Sequence, residues 1–485
     1  MSEAAASSRI EAHVWRISFV VVIGSIMSIL DTTIVNVALD SLGKELHTTL
    51  ADIQWVITGY MLSLAAVIPI TGWAARRFGA KPLYLVSLVL FTAGSALCGL
   101  ADSSRELIVF RVIQGIGGGM ILPIGQLMMA RAAGPARMGR VMSIVAVPAM
   151  LAPILGPTLG GLILDHASWR WIFYVNLPVG AIALIASIRV LPRGDREPVG
   201  KFDFRGLALM ASGLPLLTYG LAEIGSTGHF VVPRVLIPLG VSIVLIALFV
   251  FHALHIEKPL LDLRLYRRGT FASASITMFC LGGALFGGMI LMPLYWQQIR
   301  LEDVVKTGLL TAPLGLGMAA VMPLAGRLTD RYGGGPLALF GVTVTTIATV
   351  PFGFIGAHTS ILWLCIAMVF RGVGVGFAFM PAMSAAFAAL KPHELADATP
   401  QLNVLQRVGG SIGTAVLAVV LQRALLGSHS LGARASAYGT AFWWSTAITG
   451  LAIIPALVLL RSERAVRGTA RGAAKPAAVT VEAAA

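Results

Sequence analysis

The chain has 485 residues, 57% of them hydrophobic and only 12% charged, and its mean hydropathy is +0.84. A soluble domain carries about 25% charged residues, so this chain lacks the polar surface to stay in water and its solvent is a bilayer. The net charge of +14 then reports membrane topology rather than nucleic-acid binding.

A helix needs about 20 apolar residues to cross a bilayer. In chain order the predicted spans are 15–39, 53–75, 82–101, 106–130, 139–164, 170–191, 204–222, 234–254, 270–296, 306–327, 336–357, 360–382, 401–424 and 438–460. Arg9 and Arg16 before the first apolar run mimic a signal peptide, but no small-residue cleavage site follows, so an uncleaved first span is expected. No joining loop exceeds about 20 residues, a length well short of a soluble domain, so no enzyme is expected. Most Lys and Arg fall on the N-terminal side, which places both termini in the cytoplasm of a multi-pass plasma-membrane protein. The basic, Ala-rich tail 461–485 is expected to be a disordered cytoplasmic segment beside anionic lipid.

Several local features take bland readings. Cys98, Cys280 and Cys365 lie in apolar runs and read as inert thiols with no metal-ligand spacing. Gly115, Gly117, Gly118 and Gly119 follow no strand, and Met120 spoils a dinucleotide fingerprint. Close helix packing explains them, as it does Gly156/Gly160 and Gly409/Gly413. No Gly-Lys-Ser/Thr phosphate loop occurs, so neither built-in ATP hydrolysis nor a cofactor is expected. Trp169, Trp171 and Tyr174 read as interface anchors. Gln54, Trp55 and Tyr60 have polar tips that could line a path.

The chain repeats itself. PITGWAARRFGAKPLYL at 69–85 returns as PLAGRLTDRYGGGPLAL at 323–339, and VFRVIQGIGGGMILP at 109–123 returns as VFRGVGVGFAFMP at 369–381. The expected fold is an all-α membrane protein with 14 transmembrane helices. Two pseudo-repeated six-helix bundles, 1–192 and 270–460, flank a central linker, 193–269, that holds an inserted helix pair. Duplicated halves are a recurring transporter architecture, with the substrate path between them.

Charges inside spans are expensive and functional by default. Asp31 lies about 12 Å and Arg111 about 8 Å from the same membrane face at 1.5 Å per residue, so the two can meet if spans 1 and 4 touch. Burial disfavours the charged carboxylate and a nearby guanidinium favours it, so such a group can switch protonation when water access changes. Arg371 and Arg407 have no evident carboxylate partner. Pro153 and Pro157 beside Gly156, Gly160 and Gly161 mark span 5 as a candidate bent cavity wall.

Together these motifs resemble the Major Facilitator Superfamily, and within it the fourteen-helix drug:proton antiporters. LDTTIVNVALD at 30–40 is similar to the family's span 1 signature through Asp31, Thr33, Asn36 and Ala38, although Asp40 stands where Pro is usual. FRVIQGIGGG at 110–119 resembles the proton-coupling Arg-x-x-Gln-Gly motif through Arg111, Gln114 and Gly115. LGPTLGG at 155–161 matches the antiporter motif, and WRWIFYVNLPVG at 169–180 is similar to a family hallmark.

GWAARRFGAK at 72–81 departs from the superfamily's loop motif. Arg76 replaces the gate Asp ahead of Arg77 and Gly79, whereas the second half keeps Asp330 and Arg331. An altered latch, re-partnered for example with Glu394 or Asp397, is expected.

The resemblance implies export of amphipathic drugs or antibiotics in exchange for protons by alternating access. Proton coupling falls to Asp31 and Arg111, and a cavity to Asn36, Gln54, Trp55, Tyr60, Gln114, Arg371 and Arg407. No extra carboxylate occurs in 306–327 or 401–424, which favours neutral or weakly charged substrates. The partners are the small-molecule substrate, protons and the lipid bilayer, with a periplasmic adaptor added if the source is a two-membrane bacterium. The competing expectation is a secondary transporter of a siderophore, sugar, amino acid or lipid.

Overall fold

Backbone in hydrocarbon must satisfy its own N–H and C=O groups, which a helix does within one segment. The structure, a computed structural model, describes residues 11–134, 137–192, 199–227 and 231–473. The side chains of 50–51, 145–154, 157, 226–227, 304 and 466–473 lie outside the described residues, and with them those of Pro153 and Pro157. Residues 193–198 of the linker and 474–485 of the tail are likewise outside. Among the described residues there is no strand.

Fourteen long helical elements form the body. In the first half these are α1 (Ala12–Glu45), α2 (Trp55–Phe78), α3 (Ala80–Leu100), α4 (Ser104–Ala133), α5 (Met138–His166) and α6 (Trp171–Val190). The inserted pair is α7 (Phe204–Thr227) and α8 (Pro233–His255). The second half holds α9 (Gly269–Gln298), α10 (Val304–Tyr332), α11 (Gly334–Phe354), α12 (Ile361–Ala388), α13 (Leu395–Leu425) and α14 (Leu431–Ala465). Thirteen of these have the length and apolarity to cross a membrane, and α5, at 29 residues, has the length of a fourteenth. With fourteen spans, the start of α1 and the end of α14 lie on one face, the termini face.

Packing repeats with the sequence. In the first half α1 lies along α5, α2 and α3 both lie along α4, and α6 covers α3. In the second half α9 lies along α13, α10 and α11 both lie along α12, and α14 covers α11. Small residues permit the close crossings. A Cβ on Gly117 would approach Phe91 N to 2.5 Å, and Cβ atoms on Gly409 or Gly413 would fall on the Phe279 and Gly283 backbone. Gly79 and Gly333 join α2 to α3 and α10 to α11 with φ of 92° and 101°, a left-handed turn that favours glycine.

The two seams between the halves differ. α5 lies directly along α10, whereas α2 meets α13 chiefly through its termini-face segment, where 68–78 touches α13. Farther out α7 fills the gap. Its Tyr219 stacks on Trp55 of α2 at 5.8 Å between ring centroids, and its Leu221 and Ile224 pack on Ala415 and Val419 of α13. α8 backs α7 and turns Ile237, Ile243, Val244 and Phe251 outward, as a lipid-facing helix does.

Three expectations are corrected. α13 begins at Leu395 rather than 401: Pro400 lies inside the helix, and Leu395, Ala396 and Ala398 are buried. α1 runs to Glu45, beyond the expected end at 39, where Asp40 and Lys44 pair at 2.6 Å on an exposed turn. Trp169 is not an interface anchor: it is buried and its Nε1 donates to Glu45 Oε2 at 2.8 Å. Trp171 is exposed, and the Tyr174 hydroxyl donates to Gly99 O at 2.9 Å. Ahead of α1, the Arg137 guanidinium donates to Glu11 at 2.9 Å and holds its carboxyl below the usual range.

Gly413→Ala should lower thermal stability by about 1–3 kcal/mol, the range for forced overpacking, measured as the unfolding midpoint of detergent-purified protein. Gly240→Ala, with open space around its Cβ position, is the control and should leave the midpoint unchanged.

Candidate functional site

Inside the first bundle α4 and α6 converge on one carboxylate of α1. Asp31 of α1 is fully buried and accepts three hydrogen bonds. Arg111 Nη1 of α4 donates to Oδ2 at 2.6 Å, while Gln114 Nε2 of α4 and Asn176 Nδ2 of α6 donate to Oδ1 at 2.9 and 3.0 Å. Arg111 is held in turn by Gln114 Oε1 at 2.8 Å and the Val56 carbonyl at 3.2 Å, and its guanidinium lies 4.1 Å from the Tyr60 ring centroid. Asn176 also donates to Ser95 Oγ, which donates to Phe173 O. The Cys98 thiol rests on Gln114 Oε1 at 3.6 Å.

These partners satisfy the carboxylate through an ion pair and two neutral amides, the condition under which a charge survives away from water. The α4 glycines make the geometry reachable. A Cβ on Gly115 would strike Ser63, and one on Gly118 would approach the Tyr60 hydroxyl to 2.7 Å. Any bulk there would push α2, and Tyr60 with it, off Arg111.

A second set of contacts closes the termini face between the halves. Asp330 of α10 accepts from Arg140 Nε at 2.6 Å and from the Gly139 N–H at 2.8 Å, both at the start of α5. Arg76 of α2 pairs with Asp397 at the start of α13. Deeper in, Asn403 of α13 donates to Gln126 of α4 at 2.8 Å. The repeat relates the first two pairs: Arg76 occupies the place of Asp330, and Asp397 the place of Arg140. One latch is the other with its charges exchanged. The glycines beside them match as well, since a Cβ on Gly72 would strike Ala396 O and one on Gly326 would meet Gly139 O at 2.9 Å. Glu394, the other carboxylate considered for Arg76, binds Arg268 at 2.5 Å instead.

The remaining expected residues are placed as follows. Asn36, Gln54 and Arg77 are exposed, and Trp55 is exposed at the α2–α7 stack. Arg331 lies 5.1 Å from the Tyr332 ring centroid and outside the latch. Gly156 and Gly160 bring α5 onto α1: a Cβ on Gly156 would strike Thr33, and one on Gly160 would meet Ile34 O at 3.2 Å. Gly161 faces Val305 of α10 loosely, at 3.9 Å. The backbone at 153 and 157 is helical. Arg371 is buried and bonds only the Ala284 carbonyl, at 3.0 Å. Arg407, half-buried on α13, lies within electrostatic reach of Tyr60 in the opposite half.

Sequence reading missed Asn176, Ser95 and Arg140. Asn176 sits in the 169–180 hallmark, so that motif already contained the signal. Among the described residues no group of His, Cys, Asp and Glu could hold a metal ion.

Comparison with known proteins agrees with this architecture. The profile of the Major Facilitator Superfamily matches residues 21–414. The Multidrug resistance protein B homolog of Mycobacterium tuberculosis is 40% identical over 416 residues, covering 85% of this chain and 77% of the relative. Multidrug export protein EmrB of Haemophilus influenzae is 31% identical over 408 residues, covering 81% and 78%. In fold, the chain is similar to the proton:xylose symporter XylE, with a TM-score of 0.64 at 15% identity over 92% of this chain and 95% of that one.

Reversing one latch charge should open the termini face. Arg76→Asp sets two carboxylates together and should raise the thiol-labelling rate of a cysteine placed at Ala396 about tenfold, the scale of losing one charged pair of 1–2 kcal/mol. The double exchange Arg76→Asp with Asp397→Arg should restore slow labelling.

Proposed function

The chain belongs to the Major Facilitator Superfamily, among its multidrug-efflux members, and from that premise we propose that it is a proton-coupled antiporter exporting amphipathic small molecules across the cytoplasmic membrane. The observation that carries this reading is the buried Asp31–Arg111 pair, sealed inside one bundle while the halves are latched together at the termini face. In this reading the termini face is cytoplasmic, in accord with the Lys and Arg bias, and the latched state is the one that releases cargo outward.

A protonated Asp31 no longer forms an ion pair with Arg111. Arg111 then keeps Gln114, the Val56 carbonyl and the Tyr60 and Phe173 rings, so its guanidinium is under-satisfied in a fully buried site. Tyr60 couples this change to the seam, because it covers Arg111 and is carried by α2, which meets α13 and α7 of the seam. Protonation from outside thus loosens the first bundle where the halves meet and favours release. The bundles 1–192 and 270–460 then rock, the charge-exchanged latches break, and Asp31 loses its proton to the cytoplasm. Amphipathic cargo enters there or from the inner leaflet. Each conformation has one accessible side, so proton and cargo exchange rather than leak.

Inside-out vesicles carrying the protein and energised to an acidic interior should release protons when a transported amphipath is added. Asp31→Asn should reduce that release to the level of protein-free vesicles. Release undiminished in Asp31→Asn would remove Asp31 from the coupling path, and no release with any amphipath would overturn antiport.

A further inference from the structure

The charges buried within the spans do not balance. Farther than about a turn and a half from any helix end, the spans carry Asp31, Arg111, Arg371 and Arg407 and no other charged side chain. Asp31 and Arg111 neutralise each other, which leaves two guanidiniums.

Arg371 recurs in α12 where α4 has Arg111. Around Arg111 a carboxylate on α1 completes the pair, whereas around Arg371 the corresponding helix α9 offers Gly288. A Cβ on Gly288 would fall on the Arg371 guanidinium, so the place of a paired side chain is filled by the arginine itself. Its one bond goes to a backbone carbonyl, and its Nε has no partner. Arg407 has neither a hydrogen bond nor an ion pair among the described residues. It is half-buried on α13 one turn beyond Asn403, which donates to Gln126 of α4 in the other half, so it stands on the seam face rather than inside one bundle.

Two unpaired guanidiniums in a low-dielectric interior repel a cation and reward an anion. Aromatic side chains belong to the same seam: Trp55 of α2 stacks with Tyr219 of α7, which packs on α13 through Leu221 and Ile224. A ligand suited to both has an apolar, ring-bearing body and one negative group.

We infer that the cargo is an amphipathic organic anion, such as a weak acid in its carboxylate form, whose negative group is received by Arg407 with Arg371 adding to the positive field. This rests on the export reading and narrows the neutral or weakly charged cargo expected from sequence. Outward movement of a monoanion against an inward proton carries two charges per one-for-one cycle, so the membrane potential assists the exchange.

The test uses three fluorescent probes that share one ring system: dansylglycine (anionic), dansylamide (neutral) and dansylcadaverine (cationic). Each is titrated against the full-length, detergent-purified protein at pH 7.5. Dansylglycine should bind about tenfold more tightly than dansylcadaverine, the scale of one charge-assisted hydrogen bond. Arg407→Gln should remove that preference while dansylamide binding stays within about twofold, which also certifies a folded site. Arg407→Lys should keep much of the preference. Gly288→Asp supplies the missing carboxylate beside Arg371 and should weaken dansylglycine alone.

Equal or cation-favouring affinity in the parent protein, or an unchanged preference in Arg407→Gln, overturns the inference. An unchanged preference in Gly288→Asp removes Arg371 from it. The export reading fails separately: selective dansylglycine binding without proton release in energised vesicles sinks antiport and keeps the anion site. Proton release by dansylcadaverine without dansylglycine binding does the reverse.

Discussion

A carboxylate without water is the constraint around which the first bundle is organised. On insertion scales an ionised Asp at the centre of a span costs about 2.5–3.5 kcal/mol, and removing one partner of a buried pair leaves an uncompensated charge costing about 3–5 kcal/mol. Asp31 therefore draws Arg111, Gln114 and Asn176 from two helices toward a third. Those donors fix how α4 and α6 sit on α1, and the glycines of α4 follow from the spacing this demands. Changing one proton would alter all three bonds together, which is what the proposed coupling asks of this site.

The second half shows what the same scaffold does without the carboxylate. Helix pairing is duplicated, the Gly79 and Gly333 turns are duplicated, and the arginine of α4 is duplicated in α12. Gly288 breaks the copy, and Arg371 settles onto a backbone carbonyl. The latches break it in the opposite way: both charges are kept but exchanged, so the pairing survives. The buried site is therefore asymmetric, while the closing ion pairs are present in both halves.

The span pattern and the duplication were legible because both rest on periodic apolar runs, which composition exposes directly. Helix ends were less so. Pro400 is a strong start signal, yet α13 begins before it, since burial of Leu395 and Ala396 at the seam outweighs the lost N–H bond. The extension of α1 to Glu45 was hidden because its last turns project past the apolar run, where Glu45 binds Trp169. Asp31 and Arg111 were found as the costly charges. Asn176 was not, since a neutral amide in an apolar run carries no such alarm until the fold brings it beside Asp31. The partner of Arg76 could be sought by charge alone. That Arg371 lacks a carboxylate partner was legible, but that Gly288 stands against it where Asp31 stands against Arg111 is visible only in space.

The inserted pair follows from the unequal seams. Where α2 diverges from α13 beyond the latch, lipid would otherwise reach Tyr60 and the polar face of α13, and unsatisfied polar groups in hydrocarbon cost several kcal/mol each. α7 closes that gap with an aromatic stack on one side and branched aliphatic contacts on the other, surfaces that slide with little directional penalty. The α5–α10 seam has no such filler and is held by close approach at Gly139 and Gly326. Close packing is lost abruptly on separation, whereas an apolar sleeve tolerates displacement. The two seams are therefore built unequally: α2 and α13 are bridged by the apolar surface of α7, whereas α5 and α10 lie in direct close contact.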